Sequence, residues 1–139
     1  MPDVADNERA DLGAMVMRLG RRLVAMEQPI LERHGVTMWA YVVLTALRDG
    51  PARAQASLAA AINADKTRLI PVLDDLQKRG LIEREPDPAD RRVRLLGLTP
   101  EGRRLQQAVQ AEIRAAEEVM LSKIKDQAAF VRALGELSA

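Results

Sequence analysis

Two short clusters of basic side chains carry the clearest chemistry in this sequence. In the first, Lys66, Thr67 and Arg68 directly follow an aspartate. A lysine neutralises a phosphate, a threonine hydrogen-bonds a phosphate or contacts a thymine methyl, and an arginine grips a phosphate or makes paired hydrogen bonds to guanine. In the first turn of a helix, these residue types are typical of a surface that enters the major groove of duplex DNA. Outside such a context they would more often form an ordinary solvated face.

The second cluster is Asp90, Arg91 and Arg92. Two prolines and four charged residues in the segment 86–92 predict a projecting turn, because they bar both a helix and a buried strand. A guanidinium at the tip of such a turn suits a narrow minor groove, whose negative potential attracts arginine. We expect Asp90 to pair with an arginine and hold the turn in shape. Taken alone, such an exposed pair is worth only about 0 to 1 kcal/mol.

Catalytic and metal chemistry have little support in the sequence. The chain has no cysteine and one histidine, His34, which excludes thiol catalysis, disulfides and His-rich metal centres. Its carboxylates are scattered, and no glycine-rich loop is present that could cradle a phosphate. We therefore expect no enzymatic activity, no cofactor and no metal site.

The composition is that of one folded domain built mainly from helices. The chain has 139 residues, of which 47% are hydrophobic and 29% charged, while aromatic residues make up 2%. A core of Leu, Val, Ile, Ala and Met favours helices over sheets. No apolar run approaches the roughly 20 residues of a membrane span, and the acidic start does not resemble a signal peptide. We expect a cytoplasmic protein without a membrane partner.

The net charge is only +1, but the charges are unevenly distributed. Residues 53–104 contain eleven Lys and Arg against eight Asp and Glu, whereas the two flanks together carry an acidic excess. The basic excess therefore coincides with the two clusters.

A helical stripe precedes this basic region. The stripe recurs every 3.5 residues and consists of Leu12, Val16, Leu19, Leu23, Met26 and Ile30. Such a narrow seam is typical of a helix that packs against another helix. Pro29 should kink this helix or end its regular hydrogen bonding near Met26, and the helix should stop by residues 34–35.

Three shorter helices follow and position the first cluster. Thr37 is the expected cap of the second helix, whose buried face would include Trp39 and Val43 and which should break at residues 49–51. A third helix is expected at 55–62, and a fourth from Asp65 to Gly80. The fourth should bury Leu69, Leu73 and Leu76. Pro71 has no backbone N–H to donate to the carbonyl of Thr67, so the fourth helix should lack this hydrogen bond and bend.

The remainder of the chain predicts a hairpin and two further helices. The segments 81–85 and 93–98 are expected to be strands with the second basic cluster between them. Thr99 should cap the next helix. Its predicted stripe comprises Leu105, Val109, Ile113, Ala116, Met120 and Ile124, and a last helix presents Phe130, Leu134 and Leu137.

The fold class is thus mainly α: a winged helix-turn-helix with a two-stranded wing, flanked by long terminal helices. These helices expose more apolar stripe than one lobe can cover, which predicts a homodimer.

The segments 76–84, 87–92 and 98–102 resemble the end of the recognition helix, the wing and the next helix start of the multiple antibiotic resistance regulator (MarR) family. The resemblance extends over nearly the whole chain. It implies a DNA-binding transcription regulator in which residues 36–100 form the DNA-binding lobe, while 8–34 and 101–139 form the dimerisation region. The operator would be pseudo-palindromic, with half-sites about 34 Å apart.

The resemblance also implies roles for individual residues. Lys66, Thr67 and Arg68 would contact the major groove, Asp90 would stabilise the wing, and Arg91 or, more in keeping with the family pattern, Arg92 would enter the minor groove. Arg53 and Gln55 would hold the DNA backbone. Many members release DNA on binding a small aromatic or anionic effector. The residues expected to line such a site here are Arg22, Met26, His34, Met38 and Trp39, although methionine and tryptophan at helical spacing are more often core.

Another function remains compatible with the same fold. A winged helix can dock a protein partner without contacting DNA. Such a lobe would more often present an apolar patch on its fourth helix, whereas Lys66 and Arg68 lie there in this sequence.

Overall fold

The computed structural model describes residues 8–50 and 53–139. The elements in this part of the chain are α1 (Leu12–Arg33), α2 (Met38–Arg48), β1 (Arg53–Ala54), α3 (Gln55–Ala61), α4 (Lys66–Lys78), β2 (Ile82–Pro86), β3 (Arg94–Leu98), α5 (Pro100–Leu121) and α6 (Gln127–Ser138). The order of two short helices, a tight turn and a hairpin confirms the predicted winged helix-turn-helix. Pro51, expected to help end α2, and most of the acidic start lie outside the described residues.

Side-chain caps fix where three of the helices begin. Thr37, Asp65 and Thr99 each accept a hydrogen bond from a backbone N–H two or three residues later, at 3.0–3.1 Å. Each cap satisfies a donor that the first helical turn leaves without a partner. The helix starts expected from these three residues are therefore confirmed.

Neither of the two prolines inside a helix ends it. The regular helix near Pro29 does not stop at Met26, as one expected outcome had it, but continues to Arg33. Likewise, α4 continues through Pro71 to Lys78. A proline removes only its own N–H from the ladder, so the hydrogen bonds of the neighbouring residues can carry the helix on.

The wing belongs to a small antiparallel sheet with strand order β1-β3-β2. The hairpin pairs Ile82 with Leu98 at its base and Pro86 with Arg94 near its tip. The strand bounds differ from the predicted ones by at most one residue, and the expected two-stranded wing gains the two-residue strand β1. A strand of two residues is too short to show an alternating sequence pattern. It is recognised only because Arg53 pairs with Leu96 of β3.

The core lies between the C-terminal end of α1, the helices α2, α3, α4 and α5, and the inner face of the sheet. Its largest fully buried apolar side chains are Leu31, Leu44, Leu58, Leu69, Leu73, Leu76, Ile82 and Leu96. Trp39 does not belong to it: the side chain is 41% exposed, although we expected it on the buried face. Positions 40, 43, 44 and 47 follow the i, i+3, i+4, i+7 pattern and occupy that face instead.

The terminal helices leave much of their apolar surface uncovered within one chain. Leu12 and Val16 of the predicted α1 stripe are 54% and 50% exposed, and α6 has no buried residue. An apolar cavity of about 430 Å³ lies between α1, α5 and α6. Ile124, expected on the α5 stripe, falls in the turn after that helix ends at Leu121. Among the described residues, no helix combines the length and apolar character of a membrane span.

Candidate nucleic-acid interface

The first turn of α4 presents its polar side chains to solvent. The three leucines of α4 face the core, and Lys66, Thr67 and Arg68 are all exposed. No acidic side chain lies in the first turn of this helix. The carboxylate of Asp65 already caps this end of the helix, but Lys66 and Arg68 together leave the start of α4 with an excess of positive charge, which favours an approaching anion.

The tip of the wing is shaped by two aspartates. The carboxylate of Asp87 accepts a hydrogen bond from the N–H of Ala89 at 2.9 Å. Asp90 accepts one from the N–H of Arg92 at 3.1 Å and one from its Nε at 3.2 Å, which confirms the expected pairing with an arginine. The Arg92 side chain is still 92% exposed, and Arg91 is also exposed. Both guanidinium groups are thus available at the end of a turn with a defined shape.

Two arginines that were not among the predicted site residues hold α4 in place. Nη1 of Arg84, on β2, lies 3.0 Å from a carboxylate oxygen of Asp74 in the middle of α4. Nη1 of Arg79 donates to the backbone carbonyl of Gly35 at 3.0 Å, in the turn between α1 and α2. These contacts set the orientation of α4 relative to the wing and to α1. Strand alternation already places Arg84 on the same face as the buried Ile82, but no local pattern indicates the partners of either arginine.

Arg53 and Gln55 lie at the entry to α3, and both are half-buried. Arg53 is in β1, where its backbone pairs with β3. Gln55 lines a polar cleft of about 360 Å³ together with Gln77, Arg84 and Arg94. The cleft therefore combines two amides with two guanidinium groups on the helix-facing side of the wing.

The structure does not bring the five predicted effector residues together within one chain. Arg22 and Met26 line a shallow cleft of about 360 Å³ between α1 and the end of α5, together with Lys123. Met38 is half-buried and packs against the core. Trp39 lies elsewhere, in a small crevice beside the start of α4. Spacing along the sequence could not reveal this separation, because it depends on how the helices cross.

The fifth of these residues, His34, contacts a carboxylate instead. Its Nε2 lies against Glu112 of α5, and Arg33 approaches the other oxygen of the same carboxylate at 3.1 Å. The hydrogen bond from His34, and then that from Arg33, lowers the pKa of Glu112. The end of α1 is thereby joined to the middle of α5. Within residues 8–50 and 53–139, no group of three or more His, Asp or Glu side chains is arranged to hold a metal ion.

The arrangement of α3, a tight turn, α4 and a basic hairpin defines a winged helix-turn-helix protein with the surface of a nucleic-acid binder. Residues 36–93 match the model of the MarR family. A transcriptional regulatory protein for the hcr operon in Thauera aromatica is 34% identical over 119 residues, which span 76% of this chain and 72% of that protein. The repressor NicR of Pseudomonas putida is 31% identical over 108 residues, or 75% and 68% of the two chains.

Solved structures show the same similarity in three dimensions. The MarR family protein Rv2887 of Mycobacterium tuberculosis, in complex with DNA, superimposes with a TM-score of 0.82 at 27% identity, over 94% of this chain and all of that one. The same protein in complex with p-aminosalicylic acid superimposes with a TM-score of 0.78. This chain belongs to the MarR family and is a transcriptional regulator.

Proposed function

We propose that the protein is a cytoplasmic repressor that binds a pseudo-palindromic DNA operator as a homodimer and is released from it by a small anionic or aromatic effector. The observation that carries the proposal is the exposed, cationic first turn of α4 next to a wing whose arginines are also exposed. The repressor NicR and the DNA complex of Rv2887 among the relatives support it.

The proposed contacts follow from the chemistry of the exposed groups. Lys66, Thr67 and Arg68 enter the major groove, where Arg68 bonds a guanine or a phosphate. Arg92, with Arg91 beside it, enters the minor groove while Asp90 fixes the turn. Arg53 and Gln55 hold the backbone, and the half-buried Gln55 can do so only at the rim of its cleft. In this scheme residues 36–100 form the DNA-binding lobe.

The dimerisation region comprises residues 8–34 and 101–139. Among the described residues, it exposes ten large apolar side chains: Leu12, Met15, Val16, Met17, Val24, Val119, Ile124, Val131, Leu134 and Leu137. So many apolar groups on three neighbouring helices and the turn that follows α5 are costly to leave in water. A second copy that packs against them, and against the apolar cavity between α1, α5 and α6, offsets that cost. Light scattering should then give about twice the 15.3 kDa mass of one chain.

The predicted effector residues lie at two clefts, and the one between α1 and α5 is a better candidate for an effector site than the small crevice beside Trp39. Arg22 and Lys123 supply positive charge above an apolar lining that includes Met26, Val119 and Met120. This combination suits a small aromatic carboxylate, in line with the aminosalicylate complex of Rv2887. Salicylate or p-coumarate added to the protein–DNA complex should lower its affinity, and Arg22→Ala should abolish that response while DNA binding persists. An unchanged affinity at millimolar ligand would remove this part of the proposal.

The proposal is tested by DNA binding with charge-matched variants. A duplex is first selected from a random pool with the wild-type protein. Arg68→Ala and Arg92→Ala should each weaken binding to it by about 1–3 kcal/mol, and the affinity of the wild type should fall steeply with salt because bound counterions are released. Arg132→Ala removes the same charge from an exposed position of α6 and should change little.

Two results would contradict the proposal. One is an affinity for the selected duplex that does not depend on salt. The other is an equal loss in all three arginine variants, which would mean that charge alone, and not the α4 and wing surface, determines binding. Failure to select any duplex would instead favour a protein-docking module.

A further inference from the structure

Two large apolar side chains of the lobe stand out because they are exposed. Among residues 36–50 and 53–100, Trp39 and Ile70 are the large hydrophobic residues that are exposed, at 41% and 45%. Ile70 lies in the second turn of α4, directly after the buried Leu69. Pro71 beside it is exposed as well. The second turn of the proposed DNA-contacting helix therefore carries two exposed apolar residues, Ile70 and Pro71, which form an apolar step on its surface.

The position of this step on α4 follows from helix geometry. Residues three and four apart share a face, so Ile70 and Pro71 lie on the same side as the exposed Thr67. They are therefore one turn further from the helix start than the basic cluster, on the surface that would face the groove. Neither contributes a hydrogen bond or a charge there.

The next polar residue along this face, Asp74, forms an ion pair and therefore does not present a free negative charge to the groove. Asp74 is four residues after Ile70 and would repel DNA if its carboxylate were free. Its carboxylate oxygen instead lies 3.0 Å from Nη1 of Arg84 on the wing. Asp75, four residues after Pro71, likewise lies 3.8 Å from Nη1 of Arg79, so the apolar step is bounded by cations on one side and by two ion-paired carboxylates on the other.

We infer that Ile70, with Pro71 beside it, is a specificity-determining residue that contacts the C5 methyl group of a thymine in each half-site. This inference rests on the proposed DNA binding. Within the major groove, the thymine methyl is the apolar group that a base edge offers, so an apolar side chain at this depth discriminates in its favour. A protein partner would need a broader apolar patch than two residues flanked by charges.

The test replaces thymidine by deoxyuridine, whose base differs from thymine only in lacking the C5 methyl group. Each thymine of the selected duplex is replaced in turn, symmetrically in both half-sites, and the affinity of the full chain is measured. Burial of one methyl group corresponds to about fourfold in affinity, so two half-sites give roughly fifteenfold. We expect one such position to weaken wild-type binding by about this factor. Ile70→Ala should not distinguish thymine from uracil there, and Ile70→Val should lie between.

A control variant separates this contact from general affinity. Lys78→Ala changes an exposed residue in the last turn of the same helix and should keep the full preference for thymine. The inference is overturned if no thymine position affects the wild type, or if Ile70→Ala prefers thymine as strongly as the wild type does. Either result leaves the proposed DNA binding standing, whereas failure of the wild type to bind any duplex overturns both.

Discussion

Replacement of Gly102 by alanine tests how the wing is joined to α5. A Cβ atom at this position would lie 1.9 Å from the backbone oxygen of Leu81 and 2.9 Å from its carbonyl carbon. The same oxygen accepts a hydrogen bond from the N–H of Thr99 at 3.2 Å. The start of α5 is therefore packed directly on the backbone that enters β2, with no room for a side chain.

The sign of the change in stability caused by Gly102→Ala distinguishes two explanations. Alanine is the better helix former by about 1 kcal/mol, so intrinsic propensity alone predicts a gain in stability. The contact predicts a loss, because the backbone would have to move by about 1 Å, which costs about 1–3 kcal/mol for overpacking and about 1 kcal/mol for a weakened hydrogen bond. Against the propensity gain, we expect a net loss of about 1–3 kcal/mol.

Chemical denaturation of the variant and of a matched control measures this loss. Gly135 lies in the interior of α6 with nothing within 4 Å of a Cβ atom, so Gly135→Ala should be neutral or slightly stabilising. If Gly102→Ala is as stable as the wild type, the close approach of α5 to Leu81 is not present in solution.

Two further predictions concern polar groups that link α5 to its neighbours. Gln106 is fully buried, and its Oε1 has no partner among the described residues, while its Nε2 donates to Thr45 at 3.3 Å. Gln106→Met should raise the free energy of unfolding by about 0.5–2 kcal/mol, since the orphaned oxygen is removed; a clear loss in urea denaturation would contradict this. The pKa of Glu112 is lowered by His34 and then Arg33, so its carboxylate stabilises the folded state above its ordinary pKa, and this stabilisation is lost as the pH falls through the lowered value. Glu112→Gln should therefore lower the melting temperature at neutral pH but match the wild type in strong acid; an unchanged difference across the pH range would refute the ion-pair explanation.

Much of the fold was predictable because local chemistry determines it. Thr37, Asp65 and Thr99 indicated helix starts through hydroxyl and carboxylate caps, and these caps are present. The hydrophobic period indicated which face of α4 is buried. Such signals depend on residues within one or two turns, so a single sequence contains them.

Features that depend on contacts between distant segments were not predictable. The strand β1 exists through its pairing with β3, and the ion pair of Arg84 with Asp74 depends on how the wing approaches α4. The family resemblance predicted that the effector residues line one site, but Arg22 and Trp39 lie at separate clefts. Ile70 could have been recognised from its place beside the buried leucine stripe, since a large apolar residue off that stripe faces solvent.

A dimethyl sulfate footprint on the selected duplex tests most directly whether two α4 helices and two wings bind DNA together. The reagent methylates guanine in the major groove and adenine in the minor groove. We expect two major-groove patches of protection about one helical turn, roughly 34 Å, apart, each with a minor-groove patch that disappears in Arg92→Ala. A single patch without a symmetry mate, or minor-groove protection that persists in Arg92→Ala, would contradict the account.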